Sequence, residues 1–273
     1  MGRILAIAIW LVTLATLVVF ASGRWSFPAP ASAHGLLIDR QFNVTWVIVG
    51  VGFALAQIAL GYVVWRYPRG KRGRAFYTTG NARVEVICAA ITAIVFVSLA
   101  IFGQTVWAEL HLRDAPADAV LVEVTGQQFV WNFRYPGADG KFGGSRPELY
   151  NDEDNAATAR PGPLGIDPKD PLGLDDLVSV GLMVVPVNRP VKLILRAKDV
   201  THSFFVPALR FKQDAVPGLR INVHFTPIRE GRYEIACAEL CGISHHRMRA
   251  FLEVRSQSEF EKWLQEKASQ KPG

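Results

Sequence analysis

The chain has 273 residues, with 30 Lys and Arg against 24 Asp and Glu, a net charge of +6. Its pI is near 9.4 and its mean hydropathy is +0.18. This composition excludes a disordered chain and argues against an ordinary soluble enzyme, and three Cys are too few for a disulfide scaffold.

The charge excess lies wholly in residues 1–109, which carry nine basic and three acidic side chains. That region is apolar, so the basic pI points to no nucleic-acid partner. Three of its stretches hold no charge: Ile4–Gly23, Gln41–Trp65 and Val86–Ala108. About 20 apolar residues, rising 1.5 Å each, cross a bilayer core. The second and third stretches read as transmembrane helices, with Trp46, Trp65 and Trp107 as interfacial anchors. The first reads as a signal peptide ending near Ala31-Ser32-Ala33, or as an additional transmembrane helix; residues 1–33 hold either. Residues 34–109 then form a transmembrane hairpin. Its connection, 66–83, carries Arg66, Arg69, Lys71, Arg72, Arg74 and Arg83 and no acid. The positive-inside rule places that loop in the cytoplasm and residues 110–273 outside it.

Residues 110–273 have no net charge. Strand patterns occur at Val120–Thr125, Phe129–Tyr135, Val178–Val187, Val191–Ala197, Ile221–Phe225, Tyr233–Cys237 and Ala250–Val254. Residues 137–178 are rich in Gly and Pro, with nine acids against four bases, and read as an acidic surface insert. Ser258–Ala268 reads as a helix packing Phe260, Trp263 and Leu264 on one face. Several short strands separated by turn residues predict a sandwich or Greek-key barrel.

Between the last strands lies Cys237-Ala-Glu-Leu-Cys241-Gly-Ile-Ser-His245-His-Arg-Met248. Thiolate, imidazole and thioether together favour copper, and a Met beside the His argues against zinc. A Cys237–Cys241 disulfide is the alternative. A mononuclear blue-copper site needs a single Cys, so the extra Cys fits two bridged metal ions better. Such a pair calls for a second His. His202, in Asp199-Val-Thr-His-Ser-Phe-Phe-Val-Pro207, is the candidate, read as sitting at the end of a strand.

The chain resembles subunit II of the haem–copper cytochrome c oxidases. The resemblance runs from about Gln41 and rests on three motifs: Cys-x-Glu-x-Cys-Gly-x-x-His-x-x-Met, His202-Ser-Phe-Phe-Val-Pro with Lys212–Gly218, and Gly126–Tyr135. It implies a membrane helical hairpin with an all-β, cupredoxin-like Greek-key barrel. It further implies a binuclear CuA centre held by His202, Cys237, the Glu239 carbonyl, Cys241, His245 and Met248. The Glu239 carboxylate would bind magnesium or manganese at the boundary with subunit I. Phe129, where the family usually has Trp, and Trp131 would form the electron entry, and Glu85 the mouth of a proton path. The implied activity is that of an aa3-like, proton-pumping oxidase of the bacterial plasma membrane, with its copper domain in the periplasm. Its partners would be subunit I with its haem, the other oxidase subunits, cytochrome c and the lipid bilayer. The alternatives are a nitric oxide reductase subunit, a free-standing electron carrier, and an adhesion-like domain with a disulfide.

Overall fold

The computed structural model describes residues 1–24, 27–67, 77, 80–150, 164–167 and 169–270. The chain divides into two compact units, 1–28 with 38–106, and 29–37 with 107–273.

Three helices, α1 (Gly2–Ala21), α2 (Ala33–Arg66) and α3 (Ala82–His111), are long and apolar enough to cross a membrane. Their apolar side chains, among them Leu5, Leu55 and Ile94, face outward, as lipid-facing residues do. In the helical unit the Trp10 ring stacks on Trp65 at 5.9 Å and its indole N–H donates to the Ile58 carbonyl at 3.4 Å. Gly61 leaves room for that ring. Asn81 caps α3, its Oδ1 accepting from the Arg83 and Val84 amides. Both α2 and α3 outrun the uncharged stretches that predicted them, α2 beginning at Ala33 rather than Gln41. Of the basic loop, Arg66 ends α2 and Arg83 opens α3; Arg69, Lys71, Arg72 and Arg74 lie outside the described residues.

The second unit is built from β1 (Val120–Gln127), β2 (Val130–Tyr135), β3 (Leu177–Val180), β4 (Leu182–Pro186), β5 (Val191–Ala197), β6 (His202–Val206), β7 (Phe211–Ala215), β8 (Ile221–Phe225), β9 (Gly231–Cys237), β10 (Arg249–Arg255) and α4 (Gln257–Ser269). One sheet has the order β3-β2-β1-β5-β8, the other β4-β10-β9-β6-β7. Neighbours are antiparallel except β1 with β5 and β10 with β4. Alternation along β5 buries Val191, Leu193, Leu195 and Ala197, and with Val122, Phe133, Phe204, Ile235 and Leu252 they join one core. This is the cupredoxin-like barrel expected.

The structure corrects two strand assignments. The segment expected as one strand over Val178–Val187 is two, β3 and β4, in different sheets. The break is Gly181, whose φ of 70° suits glycine. Strands β6 and β7 were not expected, and His202 opens β6 rather than closing a strand. Ala31 and Ser32 are fully buried in the β unit. Ala31 N donates to Ala208 O at 2.7 Å, and the Ser32 hydroxyl donates to Leu209 O at 2.7 Å.

The insert 137–178 is largely irregular where described, but not all of its acid is solvated. Arg134, only 1% exposed, projects from the face of β2 opposite Phe133 and Tyr135. Its guanidinium donates to Glu123 at 3.2 Å, to Gly143 O at 2.7 Å and through two nitrogens to Asp176. Glu123 also faces Arg196 at 3.4 Å. The insert therefore covers the outer face of β2 with paired charge. Removing the cation leaves two buried carboxylates bereft of their main partner. Arg134→Met should cost about 3–5 kcal/mol, seen as a lower denaturant midpoint of the full-length chain in detergent. A midpoint equal to wild type would contradict this account.

Candidate metal centre

Adjacent strands of one sheet supply the predicted donors. Cys237 ends β9, His202 opens β6, and Met248 immediately precedes β10. The intervening loop closes on itself: Cys237 N donates to Met248 O at 3.1 Å, Ala238 N to Ser203 O at 2.9 Å, and Met248 N to His245 O at 3.1 Å. A twelve-residue hairpin end is thereby folded into a small cup.

The donor atoms form a continuous series. Cys237 Sγ lies 3.9 Å from Cys241 Sγ. His202 Nδ1 is 3.8 Å from the first sulfur, and His245 Nδ1 is 3.5 Å from the second. The Glu239 carbonyl oxygen lies 3.2 Å from Cys237 Sγ, and Met248 Sδ 3.6 Å from Cys241 Sγ. Each sulfur thus has one imidazole and one weak donor beside it. Both cysteines are free and buried. The ligand atoms of His202, Cys237 and Cys241 lie within 4.8 Å of one another. Soft donors of these types suit copper. All six predicted donors are brought together.

The electrostatics agree. Burial opposes a charge on His202, but the Asp199 carboxylate and the Cys237 sulfur outweigh it and raise the pKa to about 9. Burial likewise resists ionisation of Cys237, yet contacts with His202 and the backbone hold its thiol below the ordinary range. Burial and the neighbouring Cys237 push Cys241 up. Without cations, one thiolate suppresses the other. Positive ions between the sulfurs relieve that repulsion, so the residues fit a copper pair.

The surroundings hold two contributors that the sequence did not single out. Asp199 Oδ1 pairs with His202 Nε2 at 2.8 Å, fixing the ring so that Nδ1 faces the sulfur. The β1–β2 turn brings Gln128 over the loop, its side-chain amide donating to Cys241 O at 2.5 Å. An Asp three residues before a ligand His is a signal that could have pointed to the first; Gln128 had none. Trp131 is fully buried, its ring 5.9 Å from His202 and 5.5 Å from Phe204 in edge contacts. Phe129 is half-buried against Gly242, where an added Cβ would come within 3.1 Å of the ring. The Glu239 side chain is exposed. Glu85 is exposed in the first turn of α3, in the helical unit.

Comparison with known proteins accords with this geometry. Residues 172–254 match the family model described as cytochrome c oxidase subunit II, periplasmic domain. The alternative cytochrome c oxidase subunit 2 of Bradyrhizobium diazoefficiens is 33% identical over 262 residues, covering 96% of this chain and 91% of the relative. The chain belongs to the cytochrome c oxidase subunit II family. The subunit 2 of Cereibacter sphaeroides is 28% identical over 256 residues, 89% of this chain and 80% of that one. The crystal structure of the periplasmic domain of subunit II from Bradyrhizobium japonicum is 30% identical, with a TM-score of 0.40 over 56% of this chain and 96% of that one.

If copper binds here as a pair shared by both sulfurs, removing either sulfur should disrupt the pair. Cys237→Ser or Cys241→Ser should each leave one copper ion or none per chain, where wild type holds two, measured by metal analysis after desalting. Full retention of two ions by either variant would contradict bridging.

Proposed function

We propose that this chain is the electron-entry subunit of an aa3-like haem–copper oxidase, taking electrons from cytochrome c and delivering them to the haem of subunit I, where oxygen is reduced to water with proton pumping. The observation that carries the reading is the cluster of two cysteines, two histidines, a methionine and a backbone carbonyl at the end of β9. A binuclear copper centre, when bound there, supplies a one-electron store shared between two ions.

The chain's own residues set the conditions for that store. Cys237 and Cys241 would hold the ions together, His202 and His245 would bind one each, and Met248 and the Glu239 carbonyl would be the weak ligands. The loop's back-bonds hold the donors in one place, which would keep rearrangement on electron transfer small. Beside the cup, Leu240 and Ile243 are 78% and 90% exposed, a dry contact suited to a transient donor. Phe129 at this surface, and the buried Trp131 whose ring meets His202, form the entry route for the electron. In this reading the Glu239 carboxylate holds magnesium or manganese with subunit I, and Glu85 admits protons. The helices set the chain in the bacterial plasma membrane with 110–273 in the periplasm. Residues 1–33 serve as a third span or a signal. The oxidase names of the relatives support this reading over the nitric oxide reductase.

Purification from native membranes should bring down a haem-bearing subunit, with cytochrome c-dependent oxygen uptake and no NO consumption. Recovery without haem would overturn the proposal. Phe129→Ala should weaken the apparent affinity for cytochrome c about tenfold, the effect of truncating one aromatic contact. Oxygen uptake with a small-molecule reductant should be unchanged.

A further inference from the structure

Gln128 stands in the turn between β1 and β2, exposed and remote in sequence from every donor. It makes two hydrogen bonds, and they lead to opposite halves of the metal cup. Its backbone N–H donates to Asp199 Oδ2 at 2.7 Å. The other oxygen of the same carboxylate holds His202 Nε2 at 2.8 Å and accepts from Val200 N at 2.7 Å. Its side-chain amide donates to the carbonyl of Cys241 at 2.5 Å. The next residue in the loop, Gly242, has φ +135°, and an added Cβ would come within 2.8 Å of Gln128 Nε2 and 3.1 Å of the Phe129 ring. The turn therefore rests directly on the Cys241–Gly242 peptide. On its other flank Gly126 lets the same turn approach His202, where a Cβ would lie 2.9 Å from the ring.

This geometry matters because His202 and Cys241 are on separate segments. His202 belongs to β6, whereas Cys241 sits midway along the β9–β10 loop. Within that loop, Cys237 is tied to β10 through Met248, but Cys241 stands at the far side of the cup. A carbonyl held by a fixed amide donor sets the orientation of its own residue's peptide plane, and with it the direction of the thiol. We infer that Gln128 is a positioning residue of the metal centre, a strut that sets His202, through Asp199, and Cys241, through its carbonyl, at one fixed separation. The inference rests on the copper-binding reading above.

The test uses full-length chain in detergent, loaded with copper. Gln128→Met keeps the side-chain length and the backbone bond to Asp199 but removes the amide donor. It should still bind two ions. It should lose them to a chelator about tenfold faster or more, the usual effect of deleting a contact behind a metal ligand. Its copper hyperfine splitting and visible bands should also differ from wild type. Gln128→Glu, of equal length but presenting an acceptor to a carbonyl, should do the same. Variants indistinguishable from wild type in release rate and spectrum would overturn the role of Gln128 and leave the copper reading intact. Failure of wild type itself to bind two ions would overturn the copper reading. If neither variant accumulates while wild type does, Gln128 acts in folding rather than positioning, and the inference fails.

Discussion

Two buried sulfur atoms 3.9 Å apart on one loop are the constraint around which the domain is arranged. Unliganded, they cannot both ionise without strong repulsion, and the depressed Cys237 thiol beside a raised Cys241 thiol expresses that conflict. A loop free to move would separate them. Here it cannot, because both of its ends are registered strands of one sheet and its interior is hydrogen-bonded across the cup. Without cations one thiol stays protonated, and positive ions between the sulfurs would let both ionise.

The barrel supplies the rigidity at both levels. At the cup, β6 lies beside β9 so that His202 and Cys237 come from neighbouring strands. Away from it, the Tyr135 hydroxyl accepts from Val184 N at 2.8 Å and donates to Val184 O at 3.0 Å, tying the two sheets across the core. The ring of Trp263 from α4 packs on Tyr135 at 5.1 Å. Helix α4 is itself started by a capping box between Ser256 and Glu259. The Arg134 cluster closes the outer face of β2. Each device holds the scaffold, and none touches the donors.

The donors were legible in the sequence because four soft ligands of three types within twelve residues leave few other chemistries. The membrane segments were legible because a charge-free run of bilayer length has few other uses. What was not legible depended on distance along the chain. Strands β6 and β7 are five residues each, with Pro207 and Pro217 close to their ends, and so short a run between prolines gives little strand signal. Arg134 alternates with Phe133 and Tyr135, and nothing near it in sequence marks it as buried. Only the fold of the insert, 42 residues on at Asp176, buries it. Gln128 reaches partners 71 and 113 residues away, and an exposed Gln in a turn carries no local signal. Phe129 and Trp131 lay in one aromatic stretch, yet the turn leaves the first half-exposed while the strand buries the second completely.

The central claim is that two coppers share the two sulfurs. Electron paramagnetic resonance of the full-length chain, loaded with copper and oxidised to the mixed-valence state, tests it most directly. The account predicts a hyperfine pattern from one unpaired electron spread over two equivalent copper nuclei. A four-line pattern from a single copper, or no copper signal in a chain shown to be folded, would contradict it.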